Sequence, residues 1–157
     1  MHLVDLLAPA RIRAGAGATS KKRLLELVAA TLNADSEDEE LERRIYDGLC
    51  ARERLGSTGL GRGVAIPHGR ICGLKAPIGA FLQLTESLPF DASDGEPVDL
   101  VFALVVPEHF NQQHLVLLSQ LAEMFSDTVF CERLRACGND AELQTALSEW
   151  QIAHLAA

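Results

Sequence analysis

Gly56-Ser57-Thr58-Gly59-Leu60-Gly61-Arg62-Gly63-Val64-Ala65-Ile66-Pro67-His68-Gly69-Arg70 runs from a glycine-rich loop, through a short apolar run, to one histidine between Pro67 and Gly69. It holds five of the chain's twelve glycines. Glycine reaches backbone conformations closed to other residues and lets main-chain N–H groups approach a ligand, which suits an oxyanion. Imidazole is unprotonated near neutral pH and is both a nucleophile and a leaving group. Together these features point to reversible covalent chemistry on a phosphoryl group at His68.

Such transfer depends on alignment and charge stabilisation. Gly61, Gly63 and Gly69 can bring N–H groups close, and Ser57 and Thr58 add hydroxyl donors. Arg52, Arg54, Arg62 and Arg70 are candidate charge partners. The loop lacks the Gly-Lys-Ser/Thr of a P-loop and the G-x-G-x-x-G spacing of a dinucleotide site, which disfavours ATP or NAD as a cofactor. His114 opens an apolar periodic stretch where it can donate to the same oxygens. His109 competes for that role, and His2 and His154 lie at the termini. On spacing alone an ordinary surface or capping role is the commoner reading of His109 and His114, and the two terminal histidines are set aside.

The reading changes period on either side of this segment. Before it, Leu24, Leu25, Val28, Ala29 and Leu32 recur at helical spacing behind Ser20 as N-cap. Ser36 with Glu39 makes a capping box for a second helix carrying Leu41, Ile45 and Leu49. Ala14–Ala18 reads as a small-residue connector. After it come strand candidates at Gly63–Ile66, closed by Pro67, at Ile78–Leu84, and at Val98–Val106. The last is apolar almost throughout, as in a strand covered on both faces. Helical patterns follow over Leu115–Phe125 and Val129–Cys137. A final helix, capped by Asp140, runs through about Trp150. The expected fold is a single α/β domain over residues 1–157, a mixed sheet flanked by helices on both faces.

The chain is 48% hydrophobic and only 5% aromatic, so aliphatic residues must fill its core. No apolar run is long enough to span a bilayer and no basic-then-apolar leader opens the chain, so a cytoplasmic location without membrane insertion is expected. Net charge is −8, which argues against nucleic acid as a partner. Yet Arg43–Lys75 carries +5 and the remainder −13. The positive island contains the glycine loop and His68, which favours an anion site. Cys50, Cys72, Cys131 and Cys137 form no Cys-x-x-Cys pair, as expected of free thiols in a reducing compartment. Zinc on His68 and Cys72 lacks a second ligand pair. A metal-dependent hydrolase built from His68, His109, His114 and Asp99 has poor spacing.

The loop and histidine closely resemble the active-site signature of the type-2 IIA domains of the bacterial phosphotransferase system. The resemblance extends upstream to Arg52-Glu53-Arg54. Downstream it takes in Phe90-Asp91-Ala92, Pro97–Leu104, His114-Leu115 with Leu118-Ser119, and Arg133-Leu134-Arg135. It implies that His68 accepts a phosphoryl group from a histidine of an HPr-like carrier protein, without metal or cofactor. It makes His114 the second active-site histidine and Arg52 the active-site arginine. The wording looks most like the nitrogen-regulatory members. That implies a phosphorylation-dependent regulator of nitrogen or potassium metabolism acting on target proteins such as kinases or transporters. The alternative is a sugar-uptake component passing phosphate to a fructose- or mannitol-type IIB domain. The apolar pair Val116-Leu117 marks either a contact surface or a better-packed helix.

Overall fold

The computed structural model describes residues 3–155, so His2 lies outside it. Two short 3-10 turns at Leu3–Leu6 and Pro9–Arg11 lead into β1 (Ile12–Ala16). Then come α1 (Lys21–Leu32), α2 (Glu39–Glu53), β2 (Gly59–Gly61), β3 (Val64–Ala65) and β4 (His68–Ile71). The chain continues through β5 (Ile78–Leu88), β6 (Val98–Pro107), α3 (Gln112–Ser126), α4 (Thr128–Ala136) and α5 (Asp140–Leu155). The sheet is mixed, in the order β1-β5-β6-β3-β2, with β4 also paired to β6. Strands β5 and β6 are antiparallel, whereas β1 on β5 and β3 and β4 on β6 are parallel.

β6 explains why its sequence is apolar at nearly every position. Leu100, Phe102, Leu104 and Val106 pack into a core with Leu117, Leu121 and Phe125 of α3 and residues of α4 and α5. Val101, Ala103 and Val105 face Leu24, Val28 and Leu32 of α1 and Ile45 and Leu49 of α2. The expected helices on both faces are present. Phe81, Phe102 and Phe125 meet with ring centroids 6.2–6.4 Å apart, so three of the few aromatics sit together at the centre of one layer.

Four local expectations need correction. Ala14–Ala16 is not connector but the end of edge strand β1, whose Ile12 and Ala16 are buried. At a shift in its register with β5, two of its N–H groups are taken by side chains. Ala14 donates to Asp140 Oδ1 at 2.7 Å, and Gly15 donates to Gln83 Oε1 at 3.1 Å. Asp140 is thereby drawn away from capping, and Asn139 Oδ1 receives the Glu142 N–H of α5 instead. At α2 the cap is Asp38, whose Oδ1 accepts from Glu40 and Leu41, while Ser36 only braces Asp38. Finally, Pro67 interrupts the strand without ending it. Val64 pairs with Leu100 and His68 with Leu104, the same offset, so β3 and β4 are one strand alongside β6, broken where proline has no N–H to give.

Candidate functional site

β4 fixes His68 by register. Paired residues on neighbouring strands point to the same face, so His68 projects with Leu104 toward the α3 layer. Arg70 follows two residues later on that face. Gly69 points the other way, where a Cβ would stand 3.4 Å from the backbone of Gly48 in α2. The last turn of α2 brings Arg52 and the first turn of α3 brings His114. The result is a cleft of about 880 Å³ lined by His68, Gly69, Arg70, Arg52 and His114, together with Glu108, Phe110 and Asn111.

His68 is only 8% exposed, but its ring is oriented for chemistry. Nδ1 lies 2.7 Å from the Ile66 carbonyl. A carbonyl only accepts, so Nδ1 carries the proton and Nε2 keeps its lone pair. Nε2 has no hydrogen-bond partner among the described residues and, unlike Nε2 of His114, is not sealed from the cleft. Burial lowers the His68 pKa below the ordinary histidine value. The Ile66 bond and Glu53 oppose that shift, and Arg52 adds to it. His114 meets His68 edge-on, with ring centroids 5.4 Å apart. Its pKa is pushed down to about 4, first by burial and then by the nearby His68 and Arg70. Both rings are therefore neutral at pH 7, one as nucleophile and one as a polar neighbour.

Two further contacts shape the cleft. The Arg52 guanidinium donates to the Gly56 carbonyl at 2.8 Å. Arg70 donates to Asn111 Oδ1. Asn111 precedes α3 but makes no side-chain cap, so the helix's first N–H groups, with their partial positive charge, are uncapped by it. Sequence reasoning missed Asn111. Its signal was a good capping residue directly before a periodic segment. Leu55 (84% exposed) and Leu115 (63%) flank the cleft. The pair Val116-Leu117 divides, with Val116 exposed and Leu117 in the core.

The structure does not bring the rest of the glycine loop to this cleft. Thr58 is buried, with its hydroxyl on the Glu53 carboxylate. Ser57 Oγ donates to the Phe90 carbonyl at 2.7 Å. Gly61 packs beside Asp94, and Gly63 lies against Arg135 and Asp99. Both have positive φ, +91° and +83°, so their glycine requirement comes from the turn. At Gly63 a Cβ would stand 2.6 Å from Arg135 Nη2 and 2.9 Å from Asp99 Oδ1, on two side chains joined by an ion pair of 2.9 Å between Nε and Oδ2. Gly63→Ala is expected to destabilise the fold by about 1–2 kcal/mol, read as a lower urea midpoint at unchanged slope.

Arg54 and Arg62 are exposed and do not line the cleft. His109 meets Phe110 edge-on outside it, at 5.1 Å between centroids, and His154 stacks on Trp150 at 3.8 Å. Asp99 is held by Arg135, away from the histidines. Among the described residues no group of three or more His, Cys, Asp or Glu is placed for a metal ion. All four cysteines are unpaired. Among the described residues no helix is long and apolar enough to cross a membrane.

Comparison with known proteins agrees with this picture. Residues 5–150 match the family described as phosphoenolpyruvate-dependent sugar phosphotransferase system, EIIA 2. A nitrogen regulatory protein of Pseudomonas aeruginosa is 45% identical over 136 residues, covering 87% of this chain and 88% of that protein. The crystal structure of nitrogen regulatory protein IIA-Ntr from Neisseria meningitidis superimposes with a TM-score of 0.85 at 41% identity, over 92% of this chain and 98% of that one. A fructose-specific EIIA component of Haloferax volcanii is 30% identical over 149 residues, covering 95% of this chain and 91% of that protein. With a match over nearly its full length, the same fold and a histidine cleft at the centre of the motif, the chain belongs to the type-2 EIIA family of the phosphotransferase system, and it resembles the nitrogen regulatory proteins more than the fructose-specific component.

Proposed function

We propose that this protein is a phosphocarrier that takes a phosphoryl group onto Nε2 of His68 from a phosphohistidine of an HPr-like carrier. The observation that carries this reading is the His68 ring, with its Nδ1 proton held by Ile66 and its Nε2 lone pair open to a basic cleft. In the step, the Nε2 lone pair bonds phosphorus as the donor's N–P bond breaks, and that bond's electron pair stays on the donor nitrogen. The Nδ1 proton stays on His68, so the product ring is a phosphoimidazolium whose charge is stabilised by the Ile66 carbonyl. Arg52, Arg70 and the His114 ring surround the equatorial oxygens, and the uncapped α3 N-terminus adds favourable potential. No activating metal is required of a donor whose P–N bond is already labile.

Phosphorylation places a phosphoryl group of about −1.5 to −2 charges against the +1 of the imidazolium ring, a net change of about −0.5 to −1 in a cleft set in the chain's positive island. That change alters which surfaces this cleft can bind, which is the basis of a regulatory switch. The likeness to nitrogen regulatory proteins supports regulation of cytoplasmic target proteins as the output. The 30% identity to a fructose-specific EIIA component supports the second reading, transfer onward to a IIB domain. Incubation with phosphorylated HPr tests the acceptor role. The expected product is acid-labile and alkali-stable, with ³¹P–¹H coupling that assigns phosphorus to Nε2. Coupling to Nδ1, or a phosphoester, would refute the geometry. Rapid discharge to a IIB domain favours sugar uptake, and phosphorylation-dependent target binding without discharge favours regulation.

A further inference from the structure

The glycine loop carries an unexpected use of its polar side chains, and it converges on the residue next to Arg52. The Glu53 side chain is 6% exposed. Its carboxylate accepts the Thr58 hydroxyl and the Thr58 N–H, the latter at 3.2 Å, and pairs with Lys21 Nζ at 2.9 Å. Lys21, the first residue of α1, also donates to the Phe90 carbonyl at 3.3 Å, the same oxygen that Ser57 holds. Its ammonium sits 4.4 Å from the centre of the Phe90 ring. Four segments are thus tied to one buried carboxylate.

Such a pair is a weak device for stability, because desolvation offsets much of the attraction. Its geometry suggests a different use. The turn from Arg54 to Ser57 is tied to α2 by two backbone bonds, from the Leu55 N–H to the Arg52 carbonyl at 3.1 Å and from the Gly56 N–H to the Glu53 carbonyl at 3.2 Å, and is otherwise held by side chains. Leu55 is exposed, and Gly56 has φ +146°. Consecutive residues of α2 grip this turn from two sides. Glu53 holds its far end at Thr58, and Arg52 holds its middle at the Gly56 carbonyl. The Gly56 carbonyl is the only protein oxygen that Arg52 is seen to bond among the described residues. Fixing Thr58 therefore secures the far side of the turn whose Gly56 carbonyl, itself anchored to α2 through the Gly56 N–H, aims the guanidinium at the cleft.

We propose that Glu53 is a positioning residue which, through Thr58 and the Gly56 carbonyl, holds Arg52 at the phosphoryl cleft. This rests on the acceptor role of His68, and it assigns Thr58 an indirect part in place of direct contact with the phosphoryl group. The charged and titratable groups around His68 are Arg52 and Glu53 of α2, Arg70 of β4, Glu108 before α3 and His114 of α3. Thr58→Val exchanges one neutral group for another, so it can alter the His68 titration only by moving one of these or by changing the burial of the ring.

The test combines two readouts on the intact protein. Labelling from phosphorylated HPr is expected to slow roughly three- to tenfold in Thr58→Val and about tenfold or more in Arg52→Ala. Thr58→Ser restores the rate. In an Arg52→Ala background, Thr58→Val slows nothing further. By NMR, the His68 midpoint of Thr58→Val rises toward that of Arg52→Ala, because a cation that lowered it has moved away. Should Thr58→Val fail to fold, Thr58→Ala carries the same expectations. A slowing that persists undiminished without Arg52 would overturn the proposal in favour of direct contact. An unchanged His68 midpoint would overturn it as well. Absence of label on the wild type would defeat the acceptor reading instead, and the NMR midpoint would still decide the positioning role.

Discussion

His68→Ala is expected to reduce labelling from about one phosphoryl group per chain to none, since among the described residues lining the cleft only this side chain offers an imidazole lone pair open to it. The alternatives are closed for physical reasons. His114 is within ring contact of His68, but its Nε2 is buried, and burial and charge depress its basicity. His109 packs on Phe110 outside the cleft, and His154 stacks on Trp150 near the end of α5. The four cysteines do not line the cleft, and burial raises the thiol pKa of Cys131 and Cys137.

The alanine variant also removes the donor to the Ile66 carbonyl. That costs about 1 kcal/mol and leaves the fold intact. His68→Asn separates the two effects. Its amide can still donate toward Ile66, yet it has no basic lone pair, so it should be equally inert and more stable than His68→Ala. Normal labelling of either variant would remove His68 from the reaction. A partial loss that tracks reduced stability would have the same consequence, because it would reflect unfolding and not chemistry.

How much of this was legible in the sequence depends on the range of the forces involved. The helices of Leu24–Leu32 and Leu115–Phe125 and the strand Val98–Val106 declared themselves because one apolar stripe or run suffices to specify each. The histidine was legible because proline and glycine flank it and arginines surround it in the chain. β1 was not legible. Arg13-Ala14-Gly15-Ala16 has poor strand propensity, and it is a strand only because β5 pairs with it and Asp140, 126 residues away, takes an N–H. The loop's role was misjudged for a similar reason. Glycine spacing says that backbone can approach something, but not what. Gly63 turned out to face an ion pair from α4, and Thr58 a carboxylate five residues before it. Asn111 shows the same limit, because a capping residue in sequence can be recruited by an arginine from another strand.

Acid should weaken this fold through the two facing histidines, and His114 makes the effect measurable. In the unfolded chain a histidine titrates near 6.5, whereas in the folded protein His114 titrates at about 4 and His68 is also lowered. Between those values the unfolded chain binds more protons than the folded one. Stability therefore rises with pH across the interval. The contribution is fully present above about pH 7, is lost progressively as pH falls toward 4, and changes no further below that. A full shift of this size would correspond to about 3 kcal/mol, and solvent access from the cleft reduces it to roughly 2 kcal/mol for His114. Burial is the largest cause of the shift, so it should persist at high salt, unlike an effect of surface charge. Urea unfolding at pH 7.5 and pH 4.5 reads the loss. His114→Asn, which cannot titrate, should flatten the slope by most of that amount while other acid-sensitive groups such as Asp94 contribute equally to both proteins. Equal pH slopes in the two would mean that His114 is protonated as readily in the folded state as in the unfolded one. The apposition of two neutral rings, on which the nucleophilicity of His68 at neutral pH depends, would then be lost.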